Sequence, residues 1–170
     1  MKRAMLPRLL PTALIAGFAL LLSACGFTPL YGPQSVTKGL GAIEVVAAEG
    51  RAGYLLREKL EDVLARDVNV LPSHRLVYTV REQRYARGVR VDNVANRYEL
   101  NLTADWRLLD AKTGQQVRNG SAAAAVTYDS ADQPYASIAA QQDSQERAAA
   151  EVARKIQLDL AAWLAGKAAT

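Results

Sequence analysis

Along this chain the apolar residues change their spacing several times, and each spacing predicts a different kind of element. Residues 9–24 are nearly all apolar and carry no charge. Residues 26–41 are rich in Gly, Pro, Ser and Thr and show no period, which reads as a tether. Residues 42–48, AIEVVAA, are β-prone and predict a first strand. In residues 52–68 the apolar residues Leu56, Leu60, Val63 and Leu64 fall at helical steps, with Arg57, Lys59, Glu61 and Asp62 between them. That is an amphipathic helix, ended by Asn69 and Pro72.

Beyond it the period becomes two. Leu76, Tyr78 and Val80 alternate with Arg75, Thr79 and Arg81, Gly88 marks a bulge, and residues 89–93 resume the alternation. The clearest strand is 97–110. Tyr98, Leu100, Leu102, Ala104, Trp106 and Leu108 share one face, and Glu99, Asn101, Thr103, Asp105 and Arg107 share the other. One face is core and one is wet, as an antiparallel sheet allows. Residues 111–114, AKTG, predict a turn into a strand over 116–129, whose alanines from 122 to 125 are weak strand formers. From Ser137 to Ala165 the helical period returns through Ala149, Val152, Ala153, Ile156, Leu160, Trp163 and Leu164, with Gly166 as a stop. The order β-α-β-β-β-α predicts an α+β fold, a mainly antiparallel four-stranded sheet covered by two helices.

The first segment changes meaning once charge is considered. Lys2, Arg3 and Arg8 precede the apolar run and small residues end it, the order of a secretory leader. As a spanning helix it falls short: about 14 apolar residues broken by Pro11 do not reach the ~20 a bilayer requires. Residues 22–25, LSAC, resemble the bacterial lipobox, which implies removal of residues 1–24 and a lipid on Cys25, with N-acyl and S-diacylglycerol groups. Cys25 is the only cysteine. A buried thiol does not fit a residue flanked by a cleavable leader, and a disulfide has no partner within the chain. Several acyl chains, at ~0.8 kcal/mol per buried methylene, hold a protein firmly to a membrane.

Cleavage lowers the formal charge from +4 to about +1, so the basic balance is mostly a targeting signal. This argues against nucleic acid as a partner. The remaining residues, 42–170, suit a single domain without disulfides, with 25–41 as lipidated N-terminus and tether. Phe27, Leu30 and Tyr31 are unusual in a plain linker and predict docking near the membrane or a partner.

Candidate chemistry is sparse. The one histidine, His74, sits in a predicted turn without a partner at a recognisable spacing, so it reads as solvated. No metal-ligand spacing or phosphate loop is evident, and no cofactor is expected. What remains is Arg81, Arg84, Arg87, Arg90 and Arg97, with Tyr85 among them and Glu82 and Asp92 as the acids read to offset them. Arginine's planar fork suits phosphate. The cluster is either a solvated face that keeps a strand edge from aggregating or a contact for an anionic partner.

The cysteine followed by GFTPLYG at 26–32 resembles the start of the LptE family of lipopolysaccharide-assembly lipoproteins, in particular its alphaproteobacterial branch. The similarity continues through 96–117 and 134–156, with Arg97, Thr113-Gly114 and Tyr135-Ala136 as the closest points. The resemblance implies a non-enzymatic, lipid-anchored protein on the periplasmic side of the outer membrane. It implies a place inside the LptD β-barrel, help in assembling that barrel, and delivery of lipopolysaccharide to the outer leaflet. It also implies two helices on a four-stranded sheet. Gly26 after the cysteine is compatible with outer-membrane sorting. A pilot lipoprotein for another barrel or a secretin is the alternative, and a lipid-anchored hydrolase using His74 is a third.

Overall fold

The structure, a computed structural model, describes residues 34–89, 95–130 and 133–168. The leader, Cys25, Phe27, Leu30, Tyr31, Arg90 and Asp92 lie outside the described residues. In chain order the elements are α1 (Gln34–Gly41), β1 (Ile43–Val45), α2 (Gly50–Leu64), β2 (His74–Val89), β3 (Ala95–Asp110), β4 (Gln116–Asp129) and α3 (Pro134–Ala168).

The fold is α+β with one four-stranded sheet in the order β1-β2-β3-β4. The three long strands form an antiparallel meander, as the alternation predicts. β1 instead pairs parallel to β2, with Ile43 opposite His74 and Val45 opposite Leu76. A helix between two strands returns the chain to its starting end, so the sheet is mixed.

Helices differ from expectation in four places, the first being that α3 starts at Pro134 rather than Ser137. The last eight residues of the segment read as a tether form α1, with Val36 and Leu40 buried in the core. α2 ends at Leu64, ahead of Asn69, in Ala65 at φ 50°, a left-handed cap. α3 continues past Gly166, whose missing side chain did not stop it.

The inner face of the sheet carries Leu76 and Tyr78, then Leu100, Leu102, Ala104, Trp106 and Leu108, then Ala122, Ala124, Val126 and Tyr128. α3 lies over β3 and β4 with Ala148, Ala149, Val152, Ala153, Ile156, Leu160 and Ala161 fully buried. The alanine run of β4 therefore splits: Ala122 and Ala124 face the helix, and Ala123 and Ala125 face outward. Small residues on both partners let helix and sheet approach closely. At Gly120 a Cβ would come within 2.6 Å of the Trp106 ring, so glycine gives the indole its place. β4 is an edge strand, and Lys155 Nζ on α3 donates to its Ala123 carbonyl at 2.7 Å.

α2 and α3 run in the same direction. Arg51 meets Gln145 at one end, and Gln157 donates to the Val63 carbonyl at the other. The molecule thus has two ends. The near end gathers the α1 C-terminus, the 65–73 loop, the β3–β4 turn and the end of α3; Ser73 N–H donates to Ala42 O at 2.9 Å and Ala111 N–H to Ser73 O at 3.0 Å. At the far end lie Val89, the start of β3 and the start of α3. Sixteen residues of β2 separate the two ends by ~50 Å at ~3.3 Å per residue.

Candidate functional site

β2 crosses from near to far, and its far half holds the arginines. Strand alternation divides them. Arg81 and Arg87 stand on the outer face, and Arg84, which pairs with Leu100, turns toward α3. Arg97 of β3 stands outward opposite Asp129.

Each outward arginine meets a carboxylate from another strand. Arg81 Nη2 donates to Asp105 Oδ2 at 2.8 Å, Arg87 makes two bonds of 2.9 Å to Glu99, and Arg97 Nε reaches Asp129 Oδ1 at 2.7 Å. The hydrogen bond from Arg87 holds the Glu99 carboxyl below the usual carboxylate range, and that from Arg97 does the same to Asp129. Glu82, expected to offset the cluster, accepts from Gln145 Nε2 at 2.9 Å. Its charge still acts on Arg84, as read from the sequence, but the acids that pair with the outward arginines come from across the ladder rather than from beside them in sequence. Exposed pairs of this kind are worth ~0–1 kcal/mol, so an anion of higher charge can compete for the guanidinium.

Arg84 is held differently. Its guanidinium lies 4.9 Å from the Tyr98 ring centre and donates at 3.0 Å to Gln141 Oε1 and at 3.5 Å to the Tyr128 hydroxyl. Tyr98 and Tyr128 stack at 5.7 Å. The hydrogen bond to Tyr128 raises the Arg84 pKa further above its already high ordinary value. The cation thus sits on an aromatic shelf with neutral hydrogen-bond partners, and Glu82 is a nearby carboxylate whose charge acts on it. Tyr98, Tyr128 and Gln141 were missed as site residues. Their signal was present, since Tyr98 lies on the inward alternation, but placing Gln141 opposite Arg84 requires the packing of α3.

His74 is not simply solvated. It begins β2 at the near end, shares a 2.9 Å hydrogen bond with Ser73 Oγ, and meets the Trp163 ring edge-on at 5.4 Å. Burial, then the nearby Lys167 charge, lowers its pKa. Asp110, its partner across the ladder, has its carboxylate engaged by the Lys112 and Thr113 N–H groups at 2.9 and 2.8 Å. That carboxylate serves its own turn rather than orienting the imidazole. Among the described residues no group of His, Cys, Asp and Glu could hold a metal ion, and no helix is long and apolar enough to cross a membrane.

The model of the LptE family, described as lipopolysaccharide-assembly, matches residues 40–160. The chain belongs to the LptE family. Among solved structures, this LptE-family chain is similar to a lipoprotein from Caulobacter crescentus CB15, at 67% identity and TM-score 0.69, over 78% of this chain and 96% of that one. It also shares its fold with lipoprotein B from Nitrosomonas europaea, at 14% identity and TM-score 0.56, over 72% of this chain and 83% of that one. No curated protein matches the chain. The matched span runs from the end of α1 through most of α3, so both the near and far ends belong to the family portion.

Proposed function

We propose that this chain is a lipoprotein of the outer membrane, held on the periplasmic side by acyl groups on Cys25. In this reading it assists assembly of the LptD β-barrel and passes lipopolysaccharide toward the outer leaflet. The family match over residues 40–160 carries the reading. The 67% identity to a lipoprotein supports an acylated N-terminus. Support for the ligand comes from the far end. There Arg84 on its tyrosine shelf, with Arg81, Arg87 and Arg97 in exchangeable pairs, offers planar cations to phosphate groups.

The role is non-catalytic: the far-end groups bind and orient, and His74 lies at the opposite end against Trp163. Phe27, Leu30 and Tyr31 follow the anchor and serve as docking residues near the membrane or barrel.

Depleting the protein from cells is expected to lower surface lipopolysaccharide and leave LptD misassembled. Normal levels of both would overturn the proposal. Crosslinked purification from outer membranes separates the remaining alternative, since recovery of a secretin without LptD would favour a pilot for a different machine.

A further inference from the structure

The loop between α2 and β2 shows its apolar side chains to water and holds its backbone still. Val68 is 82% exposed and Leu71 90%, with Val70 beside them at 44%. Here the backbone is held by hydrogen bonds while the side chains stay exposed. Arg66 supplies much of that constraint. Its guanidinium donates to the carbonyls of Gly41, Asp67 and Val70. Asp67 N–H donates to Gly41 O at 3.1 Å, Asn69 N–H to Asp67 Oδ1 at 2.9 Å, and Val70 N–H to Asp67 O at 3.2 Å. The left-handed Ala65 sets the turn that starts it.

We propose that Val68, Val70 and Leu71 form a lipid-contacting tip that rests in the bilayer surface to which the chain is tethered. The inference rests on the anchored reading of the chain. Three observations favour lipid over a protein partner. First, the loop is bonded directly to Gly41, the end of α1. Nine residues from Cys25 to Gln34 span at most ~30 Å, and the eight residues of α1 add ~12 Å, so Gly41, which holds the loop, stays within ~42 Å of the anchor.

Second, the same end carries Lys38 in the last turn of α1, Lys112 in the β3–β4 turn and Lys167 near the end of α3. Of the acids at this end, Asp67 and Asp110 serve their own turns, Glu61 pairs with Arg57 and Glu44 with Arg75, while Asp62 lies beside Val68. Aliphatic side chains on an end that carries lysines suit acyl chains below anionic headgroups, although the side chains lining the pocket beside Val68 are those of Glu44, Arg57, Glu61, Asp62 and Arg66. Third, protein hot spots favour Trp, Tyr and Arg and disfavour Leu and Val, whereas this tip is wholly aliphatic.

The test uses the mature protein with isotope-labelled methyl groups. It is placed on nanodiscs of phosphatidylethanolamine and phosphatidylglycerol that contain a spin-labelled lipid. Methyl signals of Val68, Val70 and Leu71 are expected to broaden several-fold more than those of Ile138, an exposed apolar residue near the far-end start of α3. A Val68→Ser, Leu71→Ser variant should lose the selective orientation while its remaining methyl spectrum stays folded. Equal broadening at all sites, or none at the tip, overturns the proposal. So does a tip response seen only when the barrel partner is added, which assigns the loop to protein. The mass of the N-terminal peptide reports the acyl groups separately. An acylated chain with no tip broadening sinks the loop contact alone, and an unacylated one with the broadening kept sinks the anchor alone.

Discussion

The two halves of β2 share one ladder with β3 and differ in almost everything else. In the near half Leu76 and Tyr78 are buried beneath α2, and the Tyr78 hydroxyl donates to Gly53 O at 2.9 Å. In the far half the same face carries Glu82, Arg84 and Ala86, all exposed. β3 does not change along its length, because α3 covers Leu100 and Leu102 as well as Trp106. Hydrogen bonding to β3 thus sets how long β2 is, and helix coverage sets what its side chains may be. α2 begins level with Tyr78, so the remainder of the strand is free to carry charge.

If that division is right, substitutions in the two halves should differ sharply. Trp106→Ala, opposite Tyr78, is expected to lower the unfolding free energy by ~3–5 kcal/mol in chemical denaturation. Arg84→Ala should cost less than ~1 kcal/mol yet weaken binding of lipopolysaccharide several-fold, more than Arg87→Ala does. Comparable destabilisation by Trp106→Ala and Arg84→Ala would erase the distinction, and unchanged binding by an Arg84, Arg87, Arg90 triple alanine variant would return these residues to a solvated face.

The hydroxyl of Tyr78 sharpens the near half further. Tyr78→Phe should cost ~1 kcal/mol, because the Gly53 carbonyl loses its partner. Burial pushes the Tyr78 phenol up to about 12, so the folded chain keeps a proton that the unfolded chain releases near 10. Stability should therefore fall as pH rises from ~10 toward ~12, and the Phe variant should lack this component.

The smallest effect belongs to the outer pairs. A double-mutant cycle on Arg97 and Asp129 is expected to give ~0–1 kcal/mol, shrinking with salt. Because the paired carboxyls of Asp129 and Glu99 titrate below their unfolded values, their contribution is present above the carboxylate range. It should disappear as pH falls through the lowered folded values. A coupling that survives full protonation would show that these pairs are not electrostatic.

Period alone carried β3 and the buried stripe of α3, since each has one covered face and one wet face, and the AKTG turn after β3 carried β4. It did not carry α1. Val36 and Leu40 are only two apolar positions among Gly39, Gly41 and Thr37, and a helix that short is read from its docking, not its composition. Gly39 permits that docking, with a Cβ there coming 3.0 Å from Leu164. The parallel pairing of β1 was hidden because three residues hold no register information of their own. The arginine cluster was visible as a cluster, but its division into paired and shelf-bound members depends on a ladder whose register is set by distant packing. Val68 reads as part of the helical segment, because the bond that ties its loop runs to Gly41, on a different element.

Lys155 on the Ala123 carbonyl has a further consequence. An edge of fourteen residues with alanines facing outward is an open invitation to another strand. Molecules gathered on a single surface, as the proposed anchor would gather them, meet one another edge-on far more often than molecules in solution do. A charged amine occupying one carbonyl in the middle of that edge interrupts the register a neighbour would need. The contact that ties helix to strand thus also takes one carbonyl of the open edge out of reach of a neighbouring strand.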